Sequence, residues 1–501
     1  MRLNDHEAMK YFAVTLAVVL FFASCSVGKN SYNPNKKFAP EQLQHDYELF
    51  RDILEESHPS LYWYTPKDSV DYYFDWGAKQ LKDSLPEYKF RNVLGYVLAQ
   101  IRCGHTSVRA SKEATRYSER TRGLMFPLSV KAWKDTIVIT SNLSRRDTNV
   151  MRGALLKSID NKPVSVIVDS MFRYLPADGY NLSHKYQTIS NGGVFRSIYG
   201  SIYGLKMKTP IEYIDTTGAL KKTEVSLAMQ IVDTARIKRE REHPVPKKER
   251  KKEGLQTVRS MKIDSGLHTA FLEVNSFASG NHLRPFFKSS FKKIRKQHVQ
   301  NLVVDMRGNG GGNVILSNLL TKYISDKRFK IADSLYAEKR GSGYSRYMQN
   351  YFLNHLFLLF LTHKKADGHY HFSHYENKYF KPKKKNHFNG TTYILIGGNT
   401  FSAATLFTKS LIDQPKVVVV GEETGGGAYG NTAWLIPEVT LPDTKVRFRL
   451  PLFRLVIDKN AQKGRGVLPE VEAGPSVEAI RRNEDYKMEK VLRMIRDGKK
   501  N

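Results

Sequence analysis

Apolar positions along the chain repeat with different periods, and each change of period marks a new part. Leu43, Tyr47, Phe50 and Leu54 recur at intervals of three and four, as do Phe90, Val93, Val97 and Ile101, which predicts amphipathic helices. The second helix is expected to stop near Cys103-Gly104, since glycine commonly follows a helix end, leaving His105 and Thr106 at an exposed corner. From about Gly123 to Tyr203 the pattern shortens to β-type runs at 136–140 and 155–159, with a turn at Asp160-Asn161 and a helical stretch over 166–173. The last part alternates apolar strands (302–305, 393–396, 417–420) with helical runs (314–324, 403–412), which predicts a buried parallel sheet. A long insertion, 334–389, interrupts it and contains Leu353 and the apolar run 356–361, too short to span a membrane. A buried helix is the first expectation there, with a lid or membrane-facing surface as the alternative.

At 501 residues the chain exceeds what one hydrophobic core fills, so two or three domains are expected, and 41% hydrophobic content suffices for them. The 80 Lys and Arg against 49 Asp and Glu give a formal charge of +31, which suits nucleic acid, an anionic membrane or acidic substrates. Much of the excess sits in runs such as 236–252 and 381–385, interrupted by Pro and Glu and outside any nucleic-acid-binding module. Solvated linkers account for them, and no nucleic-acid partner is expected. At the N-terminus, Met9-Lys10 opens an apolar run over 11–23 that ends in Ser24-Cys25-Ser26. This resembles a bacterial lipoprotein signal, which makes Cys25 the expected lipidation site and puts the chain on the cell envelope, anchored in the membrane and facing the periplasm or cell surface. Cys103 is the one other cysteine, so the exported chain has no internal disulfide available.

Two tight turns carry candidate chemistry. The first, 305–313, reads Asp-Met-Arg-Gly-Asn-Gly-Gly-Gly-Asn between a strand and a helix. Its glycines leave backbone N–H groups free to converge on an anion, either a phosphate or the oxyanion of acyl transfer, and no P-loop lysine follows. A turn that needs positive φ explains the same glycines without chemistry. The second, 396–404, brings Ser402 into a helix through a bend, as an N-cap or as an exposed nucleophile. Both turns lie at the C-terminal ends of parallel strands, where ligand sites of open α/β sheets collect, which favours the nucleophile.

In order and spacing these pieces resemble the C-terminal processing, or tail-specific, serine peptidases, and more closely their tricorn-like branch. The likeness rests on Ser57-His58-Pro59, Cys103-Gly104-His105-Thr106, the turn from Asp305 to Gly312, the turn from Thr400 to Ala403, and Gly466-Val467-Leu468-Pro469. It implies an α/β fold with a ClpP/crotonase-like catalytic core, an N-terminal helical subdomain and a PDZ-like β-rich domain around 153–164, whose sheet edge takes up extended peptides. The divisions expected are a signal peptide over 1–25, a tether and helical subdomain over 26–118, the PDZ-like domain over 119–205, the catalytic domain over 206–480 and a C-terminal helix or tail over 481–501.

The resemblance makes Ser402 the nucleophile and the N–H groups of Gly311 and Ala403 the oxyanion hole. The processing branch takes its base from a lysine in a Thr-Phe-Gly-Lys-Gly segment; here 424–428 reads Thr-Gly-Gly-Gly-Ala, with Gly427 in the lysine's position. In the tricorn-like branch the base is a histidine from the N-terminal part, and His105 holds that position. A serine hydroxyl is not ionised near pH 7, so an imidazole must take its proton and return it to the leaving amine. The glutamate that this branch carries before Gly-Val-x-Pro is missing from 462–466, which reads Gln-Lys-Gly-Arg-Gly. That leaves a Ser–His dyad, a substitute for the acid in Asp458, Glu470 or a backbone carbonyl, or a weakened enzyme.

The function expected is hydrolysis of peptide bonds in exported or partly unfolded proteins, with polypeptide substrates and no cofactor. The alternative is a peptide-binding surface lipoprotein that keeps the fold with little catalysis. No metal site is expected: His363, His369, His371 and His374 have no carboxylate or Cys at ligand spacing and read as exposed loop residues. His58, ahead of Pro59, reads as a capping or packing residue.

Overall fold

The structure, a computed structural model, describes residues 32–121, 123–144, 147, 149–229 and 242–498; the expected signal segment and Cys25 lie outside them. Helix α1 (Pro40–Ser57) starts at a proline, whose missing N–H costs nothing in a first turn, and Gln42 accepts the Ala39 N–H at 3.1 Å. Leu43, Tyr47, Phe50 and Leu54 are all buried against α2 (Lys67–Lys79) and α3 (Glu87–Ile101). The N-terminal helices do not close this core alone. Val439, Leu441, Val446, Phe448 and Leu450 from the far end of the chain fill it, and Phe448 meets Phe50 edge-on at 5.1 Å. Strand β1 (Ser107–Arg109) makes the same joint through the backbone, pairing antiparallel with 447–449.

Helix α3 ends at Ile101, and the left-handed position expected of a glycine falls to Arg102 (φ 61°). Tertiary contacts hold it: the Gly179 N–H donates to Arg102 O at 2.9 Å, and the guanidinium lies 4.4 Å from the Tyr180 ring centre. Next comes a β-rich unit of β2 (Leu128–Trp133), β3 (Thr136–Asn142), β4 (Leu155–Ile159), α4 (Val164–Phe172), α5 (Leu182–Ser190), α6 (Val194–Tyr203), β5 (Lys208–Ile214) and β6 (Leu220–Ser226). Its sheet is antiparallel in the order β6-β5-β4-β3-β2. The unit runs past residue 205, because β5 pairs with β4 and buries Ile211 and Tyr213 in the same core as Ile159 and Met171.

The last part is an α/β layer structure. Strands β7 (Arg259–Asp264), β8 (Thr269–Val274), β9 (Asn301–Asp305), β12 (Thr391–Ile396), β13 (Val417–Gly421) and β18 (Val471–Glu472) form one sheet in that order, parallel except for β7. Its central strands carry unbroken apolar runs, 302–304 and 393–396, because both faces are covered. Leu302, Val304, Ile394 and Ile396 face α7 (Leu283–Lys296), α8 (Val314–Ile324) and α10 (Ala403–Leu411), whereas Val303, Leu395 and Val420 meet Val491 and Ile495 of α11 (Tyr486–Gly498). The register pairs Asp305 with Leu395, so the turns after β9 and β12 emerge side by side.

A second sheet joins the insertion to the core: β10 (Ser334–Ala337) lies between β11 (Tyr370–His371) and β17 (Phe453–Val456), and β17 pairs with β14 (Gly430–Ala433). Strands β15 (Glu438–Thr440) and β16 (Arg447–Arg449) form the hairpin that reaches β1. The insertion helix α9 (Tyr351–Leu361) is only half covered, with Leu358 buried and Phe352 and Phe360 70% and 76% exposed. No helix among the described residues is long and apolar enough to cross a membrane. His371 departs from the expectation of an exposed loop histidine. It is buried between Glu376 Oε1 (2.6 Å) and Asp367 Oδ2 (2.8 Å), and Glu376 also accepts the Leu335 N–H, so the group ties the 367–376 part of the insertion to β10 at its start.

Phe448→Ala should cost about 3–5 kcal/mol in denaturant unfolding, as a cavity opens between the N-terminal helices and the distant hairpin. A loss below ~1 kcal/mol would show that the two parts do not share one cooperative core.

Candidate active site

The turns after β9 and β12 are tied together by buried groups. The Thr400 hydroxyl donates to Met306 O at 2.9 Å and accepts the Gly397 N–H at 3.1 Å, while the Phe401 N–H donates to Asn309 O at 3.0 Å. Ser402 then takes φ 55° and ψ −122°, a conformation that costs a residue with a side chain about 1–3 kcal/mol. Its side chain does not cap α10, and its hydroxyl forms no hydrogen bond among the described residues, so an N-cap role does not account for this serine. Gly311 (φ 99°) sits against it; a Cβ there would stand 2.6 Å from Ser402 Cβ. The Gly311 N–H is not free, because it donates to Asn309 Oδ1 at 2.8 Å. Of the two donors expected for an oxyanion, Ala403 is the one left uncommitted, in the first turn of α10 where no helical acceptor exists.

His105 is 4% exposed, and its ring lies 4.7 Å from the ring of Phe401, the residue before Ser402. His184 stacks on Phe401 at 4.8 Å and donates from Nδ1 to Gly398 O at 2.8 Å; burial holds its pKa below the usual range. A relay of bonds sets the corner that carries His105. The Ser60 N–H donates to His58 Nδ1, so His58 Nε2 carries the proton and donates to Thr106 Oγ1 at 2.8 Å, and the Thr106 hydroxyl donates to Cys103 Sγ at 3.1 Å. Burial pushes the Cys103 thiol up to about 11, which keeps it protonated and excludes it as a nucleophile. Neither ring nitrogen of His105 has a hydrogen-bond partner among the described residues.

The carboxylate beside His105 is neither of those expected. Asp178, on the loop between α4 and α5, lies 3.9 Å from His105 Nδ1; it is buried and accepts the Gly104 N–H at 2.9 Å and the Gly427 N–H at 3.2 Å. Gly104 is a glycine for close approach, since a Cβ would lie 2.6 Å from the Phe401 ring and 3.0 Å from Asp178 Oδ1. Asp458 is held by Lys409 at 2.9 Å, and Glu470 accepts the Val419 N–H at 2.8 Å, so both are engaged away from His105. The stretch 462–466 closes over the Gly427 turn instead: Arg465 pairs with Glu423, and Gly427 bridges to Gly466. Ser402 also opens on a cavity of about 350 Å³ walled by Phe357, Phe372, Tyr375 and Trp434, with Asn431 beside them.

Residues 268–473 match the model of Peptidase family S41. That segment is a peptidase family S41 domain, the family of the C-terminal processing peptidases. The match supports a peptidase in general, in a family of serine type. Comparison with curated protein sequences gives no match. Among solved structures, mature CPAF complexed with lactacystin superposes with a TM-score of 0.63 at 14% identity, over 91% of this chain and 98% of that one. Mature CPAF gives 0.60 at 14% identity, over 88% and 94%. At such identity the likeness is one of fold, and it extends well beyond the matched S41 segment into the helical and β-rich units.

Burial, with the Arg454 guanidinium nearby, pushes the pKa of His58 from 6.5 down to about 3. The folded state therefore binds this proton less readily than the unfolded chain, so the stabilisation is complete above about pH 6.5 and is lost as pH falls toward about 3. His58→Gln should flatten that limb of the stability–pH curve in urea titrations, leaving the part due to His184; an unchanged limb would exclude His58 as its source.

Proposed function

We propose that the chain is a serine endopeptidase in which Ser402 is the nucleophile, His105 the base and Asp178 the carboxylate that orients it. The observation that carries this reading is the strained, unbonded Ser402 at the mouth of a cavity, with the His105 ring against the preceding residue. His105 takes the Ser402 proton as the Oγ–carbon bond forms, then returns it to the amine nitrogen as the carbon–nitrogen bond breaks. A water follows the same route and releases the acyl group. Negative charge on the attacked carbonyl is met by the Ala403 N–H, joined by that of Gly311 when Asn309 Oδ1 releases it; two such donors are worth more than one, each on the order of 3 kcal/mol. Asp178 needs a small approach to bond His105 Nδ1, of the kind that substrate binding brings about in many enzymes. Gly427, at the lysine position of the processing branch, spends its N–H on holding that acid.

The committed Gly311 N–H favours one other reading, a peptide-binding protein with weak catalysis. Cleavage of an unfolded protein discriminates between them. Ser402→Ala and His105→Ala should reduce it to background, and Asp178→Asn should lower kcat by about two to four orders of magnitude with little change in KM. Retained turnover in Asp178→Asn would leave a Ser–His dyad, and no turnover by the unmodified chain would favour the binding protein.

We also propose that the mature chain begins at Cys25 and is held by lipid on the cell envelope, where exported or partly unfolded polypeptides would be its substrates. The apolar run before Ser24-Cys25 supports this. Metabolic labelling with palmitate should mark the protein and be lost in Cys25→Ala; equal labelling of both would reject the anchor.

A further inference from the structure

Three features coincide where Ser402 meets the cavity. First, the walls are apolar and rigid. Phe357, Phe372 and Tyr375 come from the insertion, and Trp434 stands opposite, 4.9 Å from the Tyr375 ring and 6.1 Å from that of Phe372. Trp434 has φ 78°, rare for so bulky a residue and sustained only where the surroundings impose it. Second, no charged side chain among the described residues lines the cavity, so an ionised group entering it would lose hydration with nothing there to pair with. Third, Asn431 is 1% exposed, and neither its amide oxygen nor its amide nitrogen has a hydrogen-bond partner among the described residues. Along β14, Asn431 and Ala433 turn to the cavity while Thr432 turns its hydroxyl toward Cys103. A buried primary amide with both functions idle is uncommon in folded proteins and marks a position where a partner arrives later.

From these features we infer that the cavity receives the side chain on the acyl side of the cleaved bond and that Asn431 selects there for a large side chain with a hydrogen-bonding tip, tyrosine ahead of phenylalanine. This rests on Ser402 as the nucleophile. The acyl side follows from the cavity's lip, which is formed by Ser402 together with Gly312 and Asn313 of the turn that faces the attacked carbonyl. A cavity of about 350 Å³ is underfilled by a small side chain. A phenol lays its ring against the apolar walls, and its hydroxyl both donates and accepts, matching the two idle functions of the amide. Phenylalanine meets the same walls but leaves the amide unpaired, and sites built around a hydrogen bond discriminate strongly against the analogue that lacks it.

The test uses two peptides that differ only by Tyr or Phe at the cleaved position, offered together, with products read by mass spectrometry. The unmodified chain should favour Tyr by about tenfold or more in kcat/KM, and Asn431→Leu should erase or invert that ratio. Asn431→Ser, which retains a small polar group, should give an intermediate ratio and serves if the Leu variant fails to fold. Equal rates on the two peptides, or a ratio unmoved in the variants, would overturn the inference while leaving the peptidase reading intact. If neither peptide is cut, the peptidase reading fails. The pocket is then read by binding of product peptides ending in Tyr or Phe to Ser402→Ala, where equal affinity would overturn the selection as well.

Discussion

One buried carboxylate receives backbone N–H groups from two distant parts of the chain. Asp178 accepts from Gly104, which follows the N-terminal helices, and from Gly427, which follows β13. No solvent is at hand to replace either bond, so the three segments are fixed relative to one another at the cost of leaving a polar group idle if any one of them shifts. The rest of the site is built on this contact. Gly104 must lack a side chain to come so near, Phe401 packs into the space that results, and His105 lies on Phe401. On the other side, the Gly427 turn is braced by 465–466, with Glu423 accepting from Arg465 and from the Gly466 N–H.

The strain at Ser402 belongs to the same arrangement. A residue at φ 55° and ψ −122° relaxes unless its neighbours forbid it. Here they do: Gly311 of the first turn lies so near that it leaves no room for a Cβ of its own, and Thr400 and Phe401 are bonded to Met306 and Asn309 of that turn. The two turns come within reach of each other because β9 and β12 are neighbours in register, which in turn follows from strands apolar enough to be buried on both faces.

Much of this was legible in the sequence, for reasons that also explain what was not. The parallel strands announced themselves as short apolar runs, and the two glycine-bearing turns stood out because local backbone geometry demands those residues locally. Ser402, His105, Gly311 and Ala403 could be named on that footing together with a family resemblance. Asp178 could not, since its partners lie 74 and 249 residues away and its own surroundings, Leu-Pro-Ala-Asp-Gly, read as an ordinary turn. Proximity in sequence misled the search toward Asp458 and Glu470, which neighbour the Gly466 segment but are spent on Lys409 and on the Val419 N–H. Arg102 took a position that glycine was expected to hold because contacts with the 179–180 loop outweigh the small intrinsic penalty of a left-handed residue. His371 was misread for the converse reason: its carboxylates stand four and five residues away, a spacing that becomes meaningful only once the chain turns back on itself. The idle amide of Asn431 has no sequence signal of any kind.

The segment that sequence comparison picks out, 268–473, contains the serine and both turns but neither His105 nor Asp178. Those two belong to the helical and β-rich units, and the hairpin over 438–449 in turn completes the core of the N-terminal helices. Heredity and chemistry therefore divide this chain along different lines. On the proposed mechanism, the protein cut to its recognisable portion would keep the part that accepts an acyl group and lose the part that moves protons, so the smallest piece able to turn over a substrate would be nearly the whole described molecule.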